Sequence, residues 1–210
     1  WLGLIIFWQS HDRGRDTGSR PDRSQCLAGS VVMRWIALLR GVNVGGANKL
    51  PMADLRSTIE SLGFANVATY IQSGNVVFDA VADLDERAMV DMIAQAMTYR
   101  HQLRVSVVLR TVEEFDRIAE AHPEATSGLD PKLLHIMFLD RVPSIAAVET
   151  VDRQLYEPDG WSLDGRQIYV CYPNGSGRSK LTIDVFERAF GVTATARNLN
   201  TVRKLVELAN

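Results

Sequence analysis

The order in which strands and helices can be read constrains this chain most. From residue 33 onward its apolar runs and turn residues spell strand, helix, strand, strand, helix, strand, and then spell that order again. The first pass opens on Trp35-Ile36-Ala37-Leu38-Leu39, a continuous apolar run that suits a strand buried on both faces. Pro51 and Gly63 bracket a helix over residues 51–62, with Met52, Leu55, Ile59 and Leu62 on one face. Residues 67–72 and 76–79 predict two strands joined by the tight turn Ser73-Gly74-Asn75. A helix over residues 83–99 follows, with Asp83 and Glu86 at capping-box spacing, and then a strand over residues 104–110.

The second pass starts with a linking helix over residues 111–121, where Thr111 and Glu114 repeat the capping-box spacing. It continues with a strand over 133–139, a helix over 144–156 and a hairpin of 161–163 with 167–172, turned at Asp164-Gly165. A helix over 179–190, stopped by Gly191, leads to a short strand over 193–196 and a last helix over 198–209. The expected fold is therefore α+β: two tandem ferredoxin-like (βαββαβ) units, residues 33–110 and 111–210, with an additional C-terminal helix. Sequence repetition between the units is not detectable.

Residues 1–32 stand apart. The apolar start, residues 1–8, has no basic segment before it and is too short to span a bilayer. Residues 11–30 are rich in Arg, Asp, Gly and Ser, which resists packing. We expect a disordered or non-native leader there, with a natural start near Met33. The net charge of −2 argues against a surface held broadly on nucleic acid or an anionic membrane. Two cysteines, Cys26 and Cys171, make no disulfide framework and no zinc spacing. The chain reads as cytoplasmic, with no membrane partner, no metal and no cofactor.

Topology then pairs the polar loops. In a βαββαβ unit the loop after the first strand shares one end of the sheet with the hairpin turn. Residues 40–49 should thus meet residues 73–75. In the second unit, residues 172–180 should share an end with residues 195–198. The candidate ligand-binding residues are Arg40, Asn43, Gly45, Gly46, Lys49, Ser73 and Asn75 in the first pair, and Asn174, Arg178, Lys180, Arg197 and Asn198 in the second. Glycines bring backbone N–H groups close to a ligand, and helix N-termini favour anions. If the two ends face each other, one cleft gathers Arg40, Lys49, Arg178, Lys180 and Arg197.

Common nucleotide fingerprints are excluded by spacing. Residues 41–46 read G-x-x-x-G-G, not G-x-G-x-x-G, and residues 175–180 lack the Gly-Lys-Ser/Thr of a P-loop. Ser73 lacks a nucleophile elbow and reads as a turn residue. Ser179 reads as a helix N-cap. His135 and Cys171 read as structural, and Tyr70 and Tyr172 as amphipathic packing residues that border the polar loops.

At the segments ALLRGVNVGGANKLPMADLRSTIESLGFANVATYIQSGNVVF, YPNGSGRSKL and TATARNLNTVRKLVELA, the chain resembles the DUF1697 family of bacterial proteins from Met33 to its C-terminus. Leu199 departs from that pattern, since relatives tend to carry an aromatic there. The resemblance implies two ferredoxin-like units and marks the polar loops as family signatures; it implies no activity. The functional expectation is binding of a small phosphate-bearing ligand, a nucleotide included, in a cleft lined by glycine-rich loops. An enzyme acting on a phosphorylated substrate, a nucleic-acid binder and a protein-interaction module are the alternatives. Nucleic acid is not favoured, because no RNP-like aromatic strand is present.

Overall fold

The apolar run over residues 35–39 becomes part of β1 (Val32–Leu39). Its side chains alternate between two cores, Trp35, Ala37 and Leu39 on one face and Ile36 and Leu38 on the other. A strand covered on both faces has no polar face to show, which explains its continuous hydrophobicity. This computed structural model describes residues 31–44, 48–121 and 129–210. The expectation of a leader over residues 1–32 therefore lies almost wholly outside the described residues.

After β1 come α1 (Met52–Ser61), β2 (Ala65–Tyr70), β3 (Asn75–Val81), α2 (Glu86–His101), β4 (Val107–Thr111) and α3 (Val112–Glu120). Then follow β5 (Leu134–Leu139), α4 (Ile145–Val148), β6 (Gly160–Asp164), β7 (Gln167–Cys171), α5 (Ile183–Phe190), β8 (Ala194–Asn198) and α6 (Leu199–Ala209). The described residues thus form two four-stranded antiparallel sheets and six α-helices, a mixed α+β fold. The sheets have strand orders β2-β3-β1-β4 and β6-β7-β5-β8.

Three apolar layers hold these elements. Leu55 and Ile59 of α1 and Met89, Ile93 and Met97 of α2 cover the outer face of the first sheet. Phe186 and Phe190 of α5 cover the outer face of the second, against Trp161 and Ile168. Between the sheets, Ile36, Leu38 and Val77 meet Ile136, Phe138 and Tyr169, together with Phe115 of α3 and Leu199, Val202 and Leu205 of α6. Leu199 is fully buried in this middle layer.

Two helix starts and one helix end differ from the sequence reading, each for a local reason. Asp85, not Asp83, caps α2 by accepting from the Ala88 N–H, which frees Glu86 to pair with Arg166. The helix expected over 144–156 is cut to α4 and a separate 3-10 turn, Arg153–Tyr156. Asp152 recaps the chain there by accepting from the Gln154 N–H. The helix expected from Ser179 begins only at Ile183, because the Ser179 hydroxyl accepts from the Leu181 N–H and holds the backbone extended. The Thr111–Glu114 capping box is present, with both reciprocal hydrogen bonds.

Two buried arginines cross between the halves. Arg197, on β8, donates through Nε to Asn75 Oδ1 (2.5 Å) and through Nη1 to Thr195 Oγ1 (2.8 Å) and the Ala196 carbonyl (2.7 Å). Its Nη2 donates to the carbonyls of Leu39 (3.1 Å) and Ser73 (2.9 Å). All five guanidinium donors are thereby used. Arg110, on β4, makes the mirror crossing: its Nη2 donates to the carbonyls of Leu139 and Arg166, both at 2.8 Å. Each arginine grips the last residue of the other half's first strand and the carbonyl at its hairpin turn.

Truncating Arg197 orphans acceptors in the middle of the fold, each costing about 1–3 kcal/mol. Arg197→Ala is therefore expected to lower stability in urea denaturation by about 3 kcal/mol or more, with Arg110→Ala comparable. Arg178→Ala, on the exposed loop, should stay within about 0.5 kcal/mol of the parent. A loss below about 1 kcal/mol for both buried arginines would remove their keystone role.

Candidate functional site

The described part of the loop, residues 40–44 and 48–49, meets the β2–β3 turn at one end of the first sheet, as the topology argument expected. The Leu39 N–H donates to the Gly74 carbonyl at 2.8 Å. Asn43, in the left-handed region at φ 55°, donates through Nδ2 to the carbonyls of Leu50 and Gln72, both at 2.8 Å. Its Oδ1 accepts from the Leu50 N–H. Asn48 donates to the Gly41 carbonyl. The carboxamides therefore close the loop on itself and tie it to the turn. Gly45 and Gly46 lie outside the described residues, and Lys49 is exposed.

The remaining candidates at this end also hold the protein together. Asn75 is fully buried and donates to the Tyr70 carbonyl and to Ser73 Oγ. Ser73 presents its carbonyl to Arg197. Arg40 forms ion pairs with Asp184 at 3.2 Å and with Glu187, both on α5. Glu187 also accepts from the Ala194 N–H. Two carboxylates already neutralise the cation that opened the glycine-rich loop.

At the second sheet, Arg197 points into the interface described above rather than to solvent. Burial pulls its pKa down to about 10, so it stays a cation at neutral pH, satisfied by neutral acceptors. Asn198 caps α6 by accepting from the Thr201 N–H. Tyr172 is buried, donates to the Leu181 carbonyl and meets the ring of His135 edge-on at 5.1 Å. Burial lowers the His135 pKa, which keeps that imidazole neutral at pH 7. Cys171 is half-buried beside the inter-sheet layer.

Asn174, Arg178 and Lys180 have a different setting. All three are exposed and line a cleft of about 210 Å³. Residues 155–159 form its other wall. Ser179 donates to Asp159 Oδ2 at 2.6 Å, which locks the two walls together. Neither Arg178 nor Lys180 forms an ion pair among the described residues. Arg40, Lys49 and Arg197 do not line this cleft. Among the candidates, Arg40, Asn43, Ser73, Asn75 and Arg197 thus belong to an interlocked structural end, and Asn174, Arg178 and Lys180 to an open cleft.

Sequence reasoning missed Arg110 and a second cleft. The signal for Arg110 was present: Arg110-Thr111-Val112 and Arg197-Asn198-Leu199 both read arginine, helix cap, buried apolar residue. The second cleft, about 370 Å³, lies between α3 and the β6–β7 turn. Its Arg166 is paired with Glu86 (2.7 Å) and Glu114 (3.1 Å). Among the described residues, no group of His, Cys, Asp or Glu could hold a metal ion, and no helix is long and apolar enough to cross a membrane.

The class defined here is a mixed α+β protein of two antiparallel sheets joined through a shared apolar layer that includes α3 and α6. The chain belongs to the DUF1697 family, described as a protein of unknown function, whose profile matches residues 32–169. That match includes the 40–49 loop and the 73–75 turn and ends before Asn174. Among solved structures, the chain is similar to the conserved bacterial protein SP0830 from Streptococcus pneumoniae. The two are 22% identical with a TM-score of 0.63, over 86% of this chain and 100% of that one. At this identity the likeness concerns the fold alone. No curated protein matches the chain.

Gly74 tests the meeting of loop and turn. It sits at φ 72°, and an added Cβ would stand 2.9 Å from Leu39 Cβ and 3.2 Å from the Leu39 carbonyl oxygen. Gly74→Ala is expected to destabilise by more than about 1 kcal/mol. Gly175→Ala, also at positive φ but with open space around it, should cost less. Equal losses in thermal denaturation would show that steric approach at Gly74 is not limiting.

Proposed function

We propose that this protein is a cytoplasmic binding protein for a small phosphate-bearing ligand, held in the cleft beside residues 174–180. One observation carries the reading: Arg178 and Lys180 converge with Asn174 on one cleft, and neither cation is spent on an internal carboxylate. Arg40 and Arg197, the other candidate cations with assigned partners, are consumed by the fold. A guanidinium and an ammonium on one loop suit a phosphoryl group, the first as a bidentate donor and the second as a point charge.

The architecture that presents this loop is, in our reading, two ferredoxin-like units over residues 33–110 and 111–210. The two strand orders support it, since each central pair is flanked by the second and fourth strands of its half. The loop follows β7 and lies at the end of the second sheet where β8 also finishes. A polymeric partner fits less well, because Glu157 and Asp159 face the same cleft.

A thermal-shift titration of the full chain with inorganic phosphate and phosphate monoesters tests this. A one-site ligand at about 100 times its Kd adds ~2.7 kcal/mol of stability. Arg178→Ala/Lys180→Ala should abolish the shift, whereas Arg40→Ala should lower the starting midpoint slightly and keep the shift. A shift that survives the double substitution, or no shift with any phosphate compound, overturns the proposal.

A further inference from the structure

The cleft has two chemically different walls. Arg178 and Lys180 stand on the loop after β7, and Glu157 and Asp159 stand on the segment that follows the Arg153–Tyr156 turn. A site for a bare anion gains nothing from carboxylates, since like charges a few ångströms apart repel. Asp159 is moreover held in place. Its Oδ2 accepts from the Ser179 hydroxyl at 2.6 Å, and Ser179 in turn accepts from the Leu181 N–H at 2.8 Å. A fixed carboxylate has further lone pairs to offer. It therefore selects a ligand group that donates, and a hydroxyl is the neutral group that does so.

Size narrows the ligand further. Sites for drug-sized molecules measure roughly 300–1,000 Å³, and this cleft measures about 210 Å³. That leaves room for a phosphoryl group and a short carbon skeleton, not for a base and sugar as well. The half-buried Tyr156 and the exposed Leu155 add an apolar strip on the carboxylate wall. The C–H face of a sugar suits such a strip.

Resting on the anion reading above, we infer that the cleft takes a small phosphorylated polyol of the sugar-phosphate class. Arg178 and Lys180 hold the phosphoryl group. Asp159 and Glu157 accept hydrogen bonds from the hydroxyls. Selectivity against free phosphate comes from the carboxylates, which repel a bare anion and reward a hydroxylated one.

Isothermal titration of the full chain with inorganic phosphate, glucose, glucose 6-phosphate, ribose 5-phosphate and AMP separates the possibilities. The sugar phosphates are expected to bind on the order of tenfold tighter than inorganic phosphate, with glucose silent and AMP weaker than ribose 5-phosphate. Glu157→Gln and Asp159→Asn should move the two ligand types in opposite directions, weakening the sugar phosphate and leaving inorganic phosphate equal or tighter. Glu157 has no hydrogen-bond or ion-pair role among the described residues, so its variant keeps the test independent of the Ser179–Asp159 lock. If inorganic phosphate binds as tightly as the sugar phosphates, or the carboxylate variants weaken both alike, this inference falls and the anion reading stands. AMP binding as tightly as ribose 5-phosphate also overturns it. If no phosphate compound binds, both fall.

Discussion

Two guanidinium groups without a directly bonded carboxylate hold the halves of this protein in register. Taking a cation out of water is costly, and only dense hydrogen bonding offsets it. Arg197 meets that demand with Asn75, Thr195 and three backbone carbonyls. Arg110 meets it with the carbonyls of Leu109, Leu139 and Arg166. Burial pulls the pKa of each down to about 10, and Glu114, Glu86 and Asp140 partly oppose that at Arg110. The middle apolar layer would tolerate sliding of one sheet over the other, since hydrophobic contact is non-directional. Hydrogen bonds to particular carbonyls do not. The crossing arginines therefore set the docking that the apolar residues drive.

That docking decides which polar residues remain available. The end of the first sheet looks like a binding site when its residues are taken singly, with an arginine, two asparagines and glycines around a turn. Once Arg197 enters from β8 and Arg40 reaches α5, the same residues become the seam between the halves. The 174–180 loop lies outside the seam. Its start is anchored by the buried Tyr172 and its end by the buried Leu181, whose carbonyl accepts from Tyr172 and whose N–H donates to Ser179, while Arg178 and Lys180 are exposed between those anchors. A rigid frame with exposed cations between fixed points is what a pre-organised site requires.

Much of the fold was legible because its signals are local or strictly periodic. The strand over 35–39, the hairpins at 73–75 and 164–165 and the Thr111–Glu114 box depend on residues within a few positions of each other. The misplaced starts of α2 and α5 were also local, but there two competing caps were available, and spacing alone does not choose between Asp83 and Asp85. The roles of Arg40 and Arg197 were not legible for a different reason. Arg197 finds its acceptor on Leu39 across 158 positions, and Arg40 finds Glu187 across 147. A cation near a glycine-rich loop has the same local signature whether a ligand or a distant carbonyl completes it. Only the matching triplets at Arg110 and Arg197 hinted that these arginines were paired by the architecture.

The same contrast separates folding from binding in this chain. A cation that serves the fold is buried or neutralised, so its removal leaves orphaned acceptors or unpaired acids. A cation that serves a ligand must stay hydrated and unpaired until the ligand arrives, and it contributes little to stability meanwhile. Arg110, Arg197 and Arg40 satisfy the first description. Arg178 and Lys180 are exposed and form no ion pair among the described residues, which is what the proposed ligand role requires of them.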